Sequence, residues 1–304
     1  MRVTNKYDLP ESYWRACAQQ RGFTKKRISV TELLQPPQVR FLRRQHDHEI
    51  EVDCADMVDL FFGNAVHAYL ERFAPSQARA EETLEWYDEH SEFTVHGTPD
   101  LSQDGVLTDW KTTRVRALEY DRQEWTQQVN LYAWLCRVNG ISVNSAVVWI
   151  FLKDYDPQKR WEDGYPSSPL VKIPVKLWRE DDQWEFMSRR LHLHDSAESG
   201  FYGSCTDEDR WKRDTWAVYP LGKNVARAKA VFKEEAQALE YAVAAAPKPR
   251  DWQLWFEVVK RDGKPLRCME YCLVSEKCAQ WQAERPDTLE EQLEASVRTL
   301  TAKA

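Results

Sequence analysis

The chain has 304 residues, with 42 Lys and Arg against 49 Asp and Glu and a formal charge of −7. That balance excludes a protein held to nucleic acid by bulk positive charge alone. An apolar fraction of 42% and a charged fraction of 30% belong to a globular chain and exclude extensive disorder.

The first 30 residues read as a polar lead-in ending in Lys25, Lys26 and Arg27. Thr31 is placed to cap a short helix that Pro36 and Pro37 end. Arg40, Arg43 and Arg44 follow at near-helical spacing and make a basic face suited to phosphate. From Asp53 to Phe73, Val58, Phe61, Phe62, Val66, Tyr69, Leu70 and Phe73 recur with the period of an amphipathic helix. Gly63 lies one turn before His67 in that helix and predicts a close approach of a neighbour there. An acidic segment over 80–89 comes next. The strand-like EFTVHGTPD and VLTDWKTT, on either side of Gln103–Asp104–Gly105, predict a β-hairpin over 92–113.

A helix is expected over 118–137, a buried strand in SAVVWIFLKDY, another strand in VKIPVKLW and a helix over 180–195. The order α-β-β-α-β-β-α predicts a mixed α/β core. Further on, a strand is expected at 216–219, a helix over 234–246 and a strand alternating through Trp252, Leu254, Phe256 and Val258. A turn at Asp262–Gly263, a Cys-rich segment and a helix from Leu289 complete the pattern. The expected division is a lead-in over 1–30, a core over 31–196 and an extension over 197–304. No run approaching about 18 apolar residues occurs, so no membrane span is expected. The start MRVTNKYDLPESYW lacks an apolar leader. Seven Cys without an export signal suit a reducing compartment, and the expected location is the cytoplasm of a bacterium or a phage-infected host.

The hairpin carries the most chemistry. Asp109 and Lys111 are two apart on one strand, so both side chains leave the same face about 7 Å apart. Asp100 ends the preceding strand and can lie beside Asp109. Two hard oxygen donors suit Mg²⁺ or Mn²⁺, and an adjacent ammonium can orient water or balance charge on a phosphoryl oxygen. An Asp-x-Lys pair alone is ordinary on an exposed strand. Here His67 offers a neutral nitrogen ligand, and Gln128 and Tyr132, four apart on the following helix, can hold a phosphate or the lysine.

GNAVHAYLE, GTPD, TDWKTT and QVNLY, in that order, resemble the four-part signature of RecB-type nucleases of the PD-(D/E)XK superfamily, over about residues 28–180. The resemblance implies a restriction-endonuclease-like mixed sheet flanked by helices. It implies His67, Asp100, Asp109 and the Trp110 carbonyl as ligands of Mg²⁺ or Mn²⁺. Lys111 matches the catalytic lysine, and Gln128 and Tyr132 match the helix pair. The implied activity is metal-dependent hydrolysis of DNA, by an exonuclease rather than a site-specific endonuclease, leaving 5′-phosphate and 3′-hydroxyl ends. Single- or double-stranded DNA ends are the implied substrate, in recombination, repair or phage replication, with a recombination or replication protein as possible partner. The rival from another class is a non-catalytic DNA-binding or assembly protein that keeps the fold.

Three of the seven Cys fall in RCMEYCLVSEKC, at 268, 272 and 278, a clustering that favours metal ligation. Cys205, in the polar loop GSCTDEDRW, is the candidate fourth ligand, because Cys17, Cys54 and Cys136 lie in more apolar or helical sequence. Phage-encoded and CRISPR-associated nucleases of the RecB type carry a late Cys trio with a [4Fe–4S] cluster, and resemblance to them implies such a cluster here. Their early Cys is replaced by Pro36–Pro37, and Zn²⁺ is the alternative occupant. A zinc-stabilised interaction module would explain these Cys but not the hairpin. Trp110 and Trp125 flank the hairpin site and are candidates for base stacking. Trp211 and Trp216 lie near Cys205 as candidate shields for a cluster. Most of the 14 Trp are expected in the core.

Overall fold

The computed structural model describes residues 1–19, 24–120, 123–222 and 227–285. The chain divides into two compact units, Met1–Tyr202 and Gly203–Ala304. The helix expected from Leu289 lies outside the described residues. Among the described residues no helix is long and apolar enough to cross a membrane.

The first unit opens with β1 (Arg2–Thr4), α1 (Glu11–Ala18), β2 (Arg27–Ser29), α2 (Val30–Leu33), α3 (Pro37–His46) and β3 (Glu51–Asp53). α4 (Val58–Arg72), β4 (Arg79–Ala80), β5 (Leu84–Tyr87), β6 (Thr94–Gly97), β7 (Leu101–Gln103) and β8 (Val106–Thr113) follow. α5 (Gln123–Val138), β9 (Ser145–Leu152), β10 (Leu170–Val175) and α6 (Glu180–Glu198) complete it. The fold is mixed α/β, as the sequence predicts. The main sheet has the order β10-β9-β8-β7-β4, in which only β8 and β9 run parallel. Their parallel direction requires a crossover, which α5 supplies. A second sheet, β2-β6-β5, pairs β2 parallel and β5 antiparallel to β6.

β7 and β8 form a hairpin because Asp104 (φ 51°) and Gly105 (φ 75°) both occupy the left-handed region that a two-residue turn of type I′ needs. The strand expected at 94–97 is not part of that hairpin and belongs to the second sheet. α2 is capped by Ser29 rather than Thr31. The Ser29 hydroxyl accepts from Glu32 N (3.1 Å) while Ser29 N donates to the Glu32 carboxylate (3.0 Å), a reciprocal pair that Thr31 cannot make. The core joins Phe93, just before β6, and Val95 and Leu107 of the sheets to Val129, Leu131 and Leu135 of α5 and Met187 and Leu191 of α6. Trp86, Trp134 and Trp184 meet edge-on at this core, with ring centroids 5.2 and 5.6 Å apart from Trp86. They account for part of the high Trp content.

α4 departs from the amphipathic core helix expected of it. None of its residues is buried, and Phe62, Tyr69 and the following Phe73 are exposed. The helix packs mainly on β8 and the turn before it, and one stripe, Gly63, Val66, His67 and Leu70, is half-buried. The close approach expected at Gly63 is absent. A Cβ there would meet Thr112 Oγ1 at 3.6 Å, ordinary contact.

The second unit contains β11 (Thr215–Pro220), β12 (Ala230–Phe232), α7 (Glu235–Ala245), β13 (Phe256–Arg261) and α8 (Ala279–Glu284). Its antiparallel sheet, β12-β11-β13, packs Val218 and Phe256 against Ala238 and Ala242 of α7. The strand expected from Trp252 begins only at Phe256. Pro249 opens a 3₁₀ turn through Leu254, and the alternation of Trp252 and Leu254 is coincidental.

Candidate metal centre

The hairpin register pairs Leu101 with Thr108, which sets Asp100 beside Asp109 at the mouth of the β7–β8 pair. Asp100 Oδ2 accepts from Trp110 N at 2.5 Å, fixing the carboxylate against the neighbouring strand. Asp109 is 1% exposed, and Lys111 leaves the same face. Lys111 Nζ stands 3.1 Å from Asp109 Oδ1 and 2.8 Å from Oδ2, and donates to Gln128 Oε1 at 2.9 Å. Gln128 Nε2 in turn donates to the Tyr132 hydroxyl at 3.1 Å. The helical pair thus holds the lysine, with the amide orientation set by its two partners. Gly97 admits Tyr132: a Cβ there would meet the Tyr132 ring at 2.8 Å.

His67 reaches the same place from α4. Its Nδ1 lies 3.2 Å from Asp100 Oδ1 and 3.1 Å from Glu81 Oε1. Glu81 was not among the residues the sequence singled out. It belongs to the acidic run after β4, whose composition suggests only a solvated segment. Its backbone has φ 48°, and its N–H donates to the Asp100 carbonyl at 3.1 Å. Only the pairing of β4 with β7, Ala80 opposite Leu101, brings it to the site. Among the described residues, His67, Glu81 and Asp100 are the one group of three potential ligands whose donor atoms all lie within 4.8 Å of one another.

The electrostatics are those of a pocket holding protons in place of metal charge. Hydrogen bonds to Asp100 and Glu81 raise His67 to about 10 against the desolvation that opposes it. Burial raises Asp109 to about 6, with Lys111 opposing and Asp100 adding to the rise. Tyr132 is also pushed up, chiefly by burial. Asp109 Oδ2 is buried without a hydrogen bond of acceptable geometry, although the Lys111 ammonium is close. Glu81, Asp100 and His67 form a donor set that fits a hard divalent cation, and Asp109, expected as a ligand, lies outside that group of three as a buried carboxylate facing Lys111. Binding would displace the His67 proton.

Two of the three α3 arginines expected to face phosphate, Arg40 and Arg44, are paired with a carboxylate of the protein. Arg40 is 4% exposed and pairs with Glu198 at 2.6 Å, and Arg44 shares that carboxylate. Lys26 pairs with Asp195 at 2.6 Å and Arg27 with Glu85 at 2.5 Å. These cations hold the first unit together. Trp110 is half-buried and tilts against Phe151 at 6.2 Å, and Trp125 packs on the main core.

In the second unit, Cys205, Cys268 and Cys272 are each raised chiefly by burial, Cys205 to about 12, and each is raised further by at least one other thiol of the four with Cys278. Gln280 of α8 clasps the Cys205 backbone, accepting from its N–H at 2.9 Å and donating to its carbonyl at 3.0 Å. The Cys205 loop is thereby tied to the late Cys segment. Among the described residues no three of these sulphurs lie mutually within 4.8 Å. A closed zinc tetrathiolate needs them about 3.8 Å apart, from tetrahedral bonds of about 2.3 Å. Trp211 meets Tyr271 at a tilt, 5.2 Å between ring centroids, with the Arg267 guanidinium over the Trp211 ring, next to this segment. Trp216 packs on the α7 core instead.

No family model matches the chain, and no curated protein matches it. A solved structure of SSO0001 is similar at a TM-score of 0.41 and 13% identity, covering 57% of this chain and 79% of the other. A phage-related exonuclease from Haemophilus somnus 129PT is similar at 0.30 and 15%, covering 45% and 69%. Likenesses at this level carry no functional argument, and the reading below stands on the site.

Proposed function

We propose that the protein is a Mg²⁺- or Mn²⁺-dependent DNA nuclease acting on strand ends. The observation that carries this reading is the convergence of His67 from α4, Asp100 and Asp109 from the hairpin, and Lys111 braced by Gln128 and Tyr132 of α5. When bound, a divalent cation stabilises charge on a phosphoryl oxygen and makes water more acidic. His67, Asp100, Asp109 and the Trp110 carbonyl would hold it. Asp109 and Gln128 fix the Lys111 ammonium where it can orient an attacking water and face the phosphoryl group. Tyr132 keeps Gln128 in the orientation that presents its oxygen to Lys111. In-line attack by water at phosphorus breaks the bond to the 3′ oxygen, and the products carry 5′-phosphate and 3′-hydroxyl.

The test is incubation of end-labelled linear DNA and of circular DNA with Mg²⁺, Mn²⁺ or EDTA. Metal-dependent loss of the linear form alone supports an exonuclease. Absence of cleavage in every condition overturns the reading in favour of a binding or assembly protein.

Cys205, Cys268, Cys272 and Cys278 are the proposed ligands of a [4Fe–4S] cluster. The four thiols belong to the second unit, where Gln280 ties the Cys205 loop to the late segment, and this supports a shared site. An absorbance band at about 400 nm in anaerobically purified protein supports the cluster. Zinc without iron in the purified protein would reject it.

A further inference from the structure

We propose that Glu81 is a direct ligand of the divalent cation, so that this chain's site is built from three carboxylates and one imidazole. The inference rests on the reading of the pocket as a cation site, and it deepens that reading by adding a ligand.

Three observations carry it. The first is spacing. Cis ligands of an octahedral cation with bonds of about 2.1 Å lie about 3.0 Å apart. His67 Nδ1 is 3.1 Å from Glu81 Oε1 and 3.2 Å from Asp100 Oδ1. The second is which nitrogen Glu81 meets. A carboxylate that only orients a ligating histidine binds the ring nitrogen remote from the metal. Glu81 instead approaches the same Nδ1 that faces Asp100, and one N–H cannot serve two oxygens equally well. The third is charge. Three carboxylates against the Lys111 ammonium leave two negative charges, which one divalent cation neutralises; without Glu81 only one would remain. Asp109, 1% exposed, supplies the buried carboxylate that Lys111 faces at 2.8 Å. The backbone fixes the arrangement, because Glu81 N–H is bonded to the Asp100 carbonyl and the two residues are neighbours across β4 and β7.

The test measures Mn²⁺ affinity of the full-length chain from the paramagnetic resonance signal of free Mn²⁺, alongside melting temperature in EDTA. Glu81→Gln is expected to weaken Mn²⁺ at least about tenfold, with melting in EDTA lowered only modestly by loss of the His67 contact. Glu81→Asp, which keeps the charge, should recover part of the loss. A Glu81→Gln affinity within twofold of the parent overturns the inference. If Glu81 merely held His67, adding Glu81→Gln to His67→Ala would cost nothing further; as a ligand it costs several-fold again. Unchanged affinity in that background also overturns the inference. A parent chain that binds no Mn²⁺ sinks it together with the nuclease reading. A chain that binds Mn²⁺ through Glu81 but cleaves no DNA sinks the nuclease reading alone.

Discussion

Replacing Asp109 by Asn should stabilise the metal-free protein at alkaline pH while removing the stabilisation that metal gives. Asp109 is buried, faces Lys111, Asp100 and His67, and has its carboxyl raised from 3.8 to about 6. A native state that holds this proton more tightly than the unfolded chain is at its best below pH 3.8. It loses stability as pH rises through 6. Roughly two pH units at about 1.36 kcal/mol each puts the penalty on the order of 3 kcal/mol above pH 7, with the Lys111 attraction already included. Asp109→Asn never carries the charge. In EDTA at pH 8 it should therefore exceed the parent by up to about that amount, and the two should converge near pH 4. The assay is urea unfolding followed by tryptophan fluorescence at both pH values, repeated with saturating Mn²⁺. With the ion present only the parent should gain. Equal destabilisation of the variant at both pH values would refute the argument, since it would mean that the carboxylate is a structural partner of Lys111 and not a strained cation ligand.

Lys111→Ala should lower DNA cleavage at least about 10²-fold and also lower the melting temperature near neutral pH, because it leaves the buried Asp109 carboxylate without its ammonium partner; full activity of the purified variant sinks the mechanism. Gly97→Ala drives a methyl to 2.8 Å from the Tyr132 ring, 3.0 Å from Val30 and 3.1 Å from Leu135. It should cost about 1–3 kcal/mol and lower cleavage by displacing the Tyr132–Gln128–Lys111 chain; a melting curve identical to the parent's would count against that packing. His194 is buried, donates to the Leu33 carbonyl at 3.1 Å and is lowered to about 3, by burial first and then by Arg190. The unfolded chain takes up this proton below about 6.5, so stability should fall by up to about 1.4 kcal/mol per pH unit from there toward 3. His194→Gln should flatten that slope in urea titrations from pH 7 to 5, and an unchanged slope would assign it to other groups.

The main chemistry was legible because it is local. Asp100, Asp109 and Lys111 sit on one hairpin whose turn residues name the turn, and Gln128 and Tyr132 share a helix face by spacing alone. Glu81 escaped notice because its role depends on a two-residue strand pairing across the sheet edge, and its neighbours in sequence are acidic surface residues. The basic residues of α3 misled for the converse reason. Composition shows the charges of Arg40 and Arg44 but not Glu198, 158 residues beyond Arg40, which claims both. α4 has the period of an amphipathic helix, yet where it packs on β8 only a single stripe is half-buried.

These assignments change what the acidic balance means for DNA. Lys26, Arg27, Arg40 and Arg44 are committed to carboxylates of the same unit, which reduces the basic face expected of α3. The pocket itself is negative until a cation enters, and it lies in a chain of net charge −7. Phosphate attraction at the site must therefore come mainly from the cation, with exposed Arg114 and Arg116 just beyond Lys111 as the nearest cations in sequence. Affinity for DNA should be weak in EDTA and rise with Ca²⁺, which takes the same oxygen ligands. The rise should exceed any effect of matched Na⁺, which can only screen. Fluorescence anisotropy of a labelled strand across both salts measures it. The gain should vanish in Asp109→Asn, and a gain that survives there would place the DNA elsewhere on the protein.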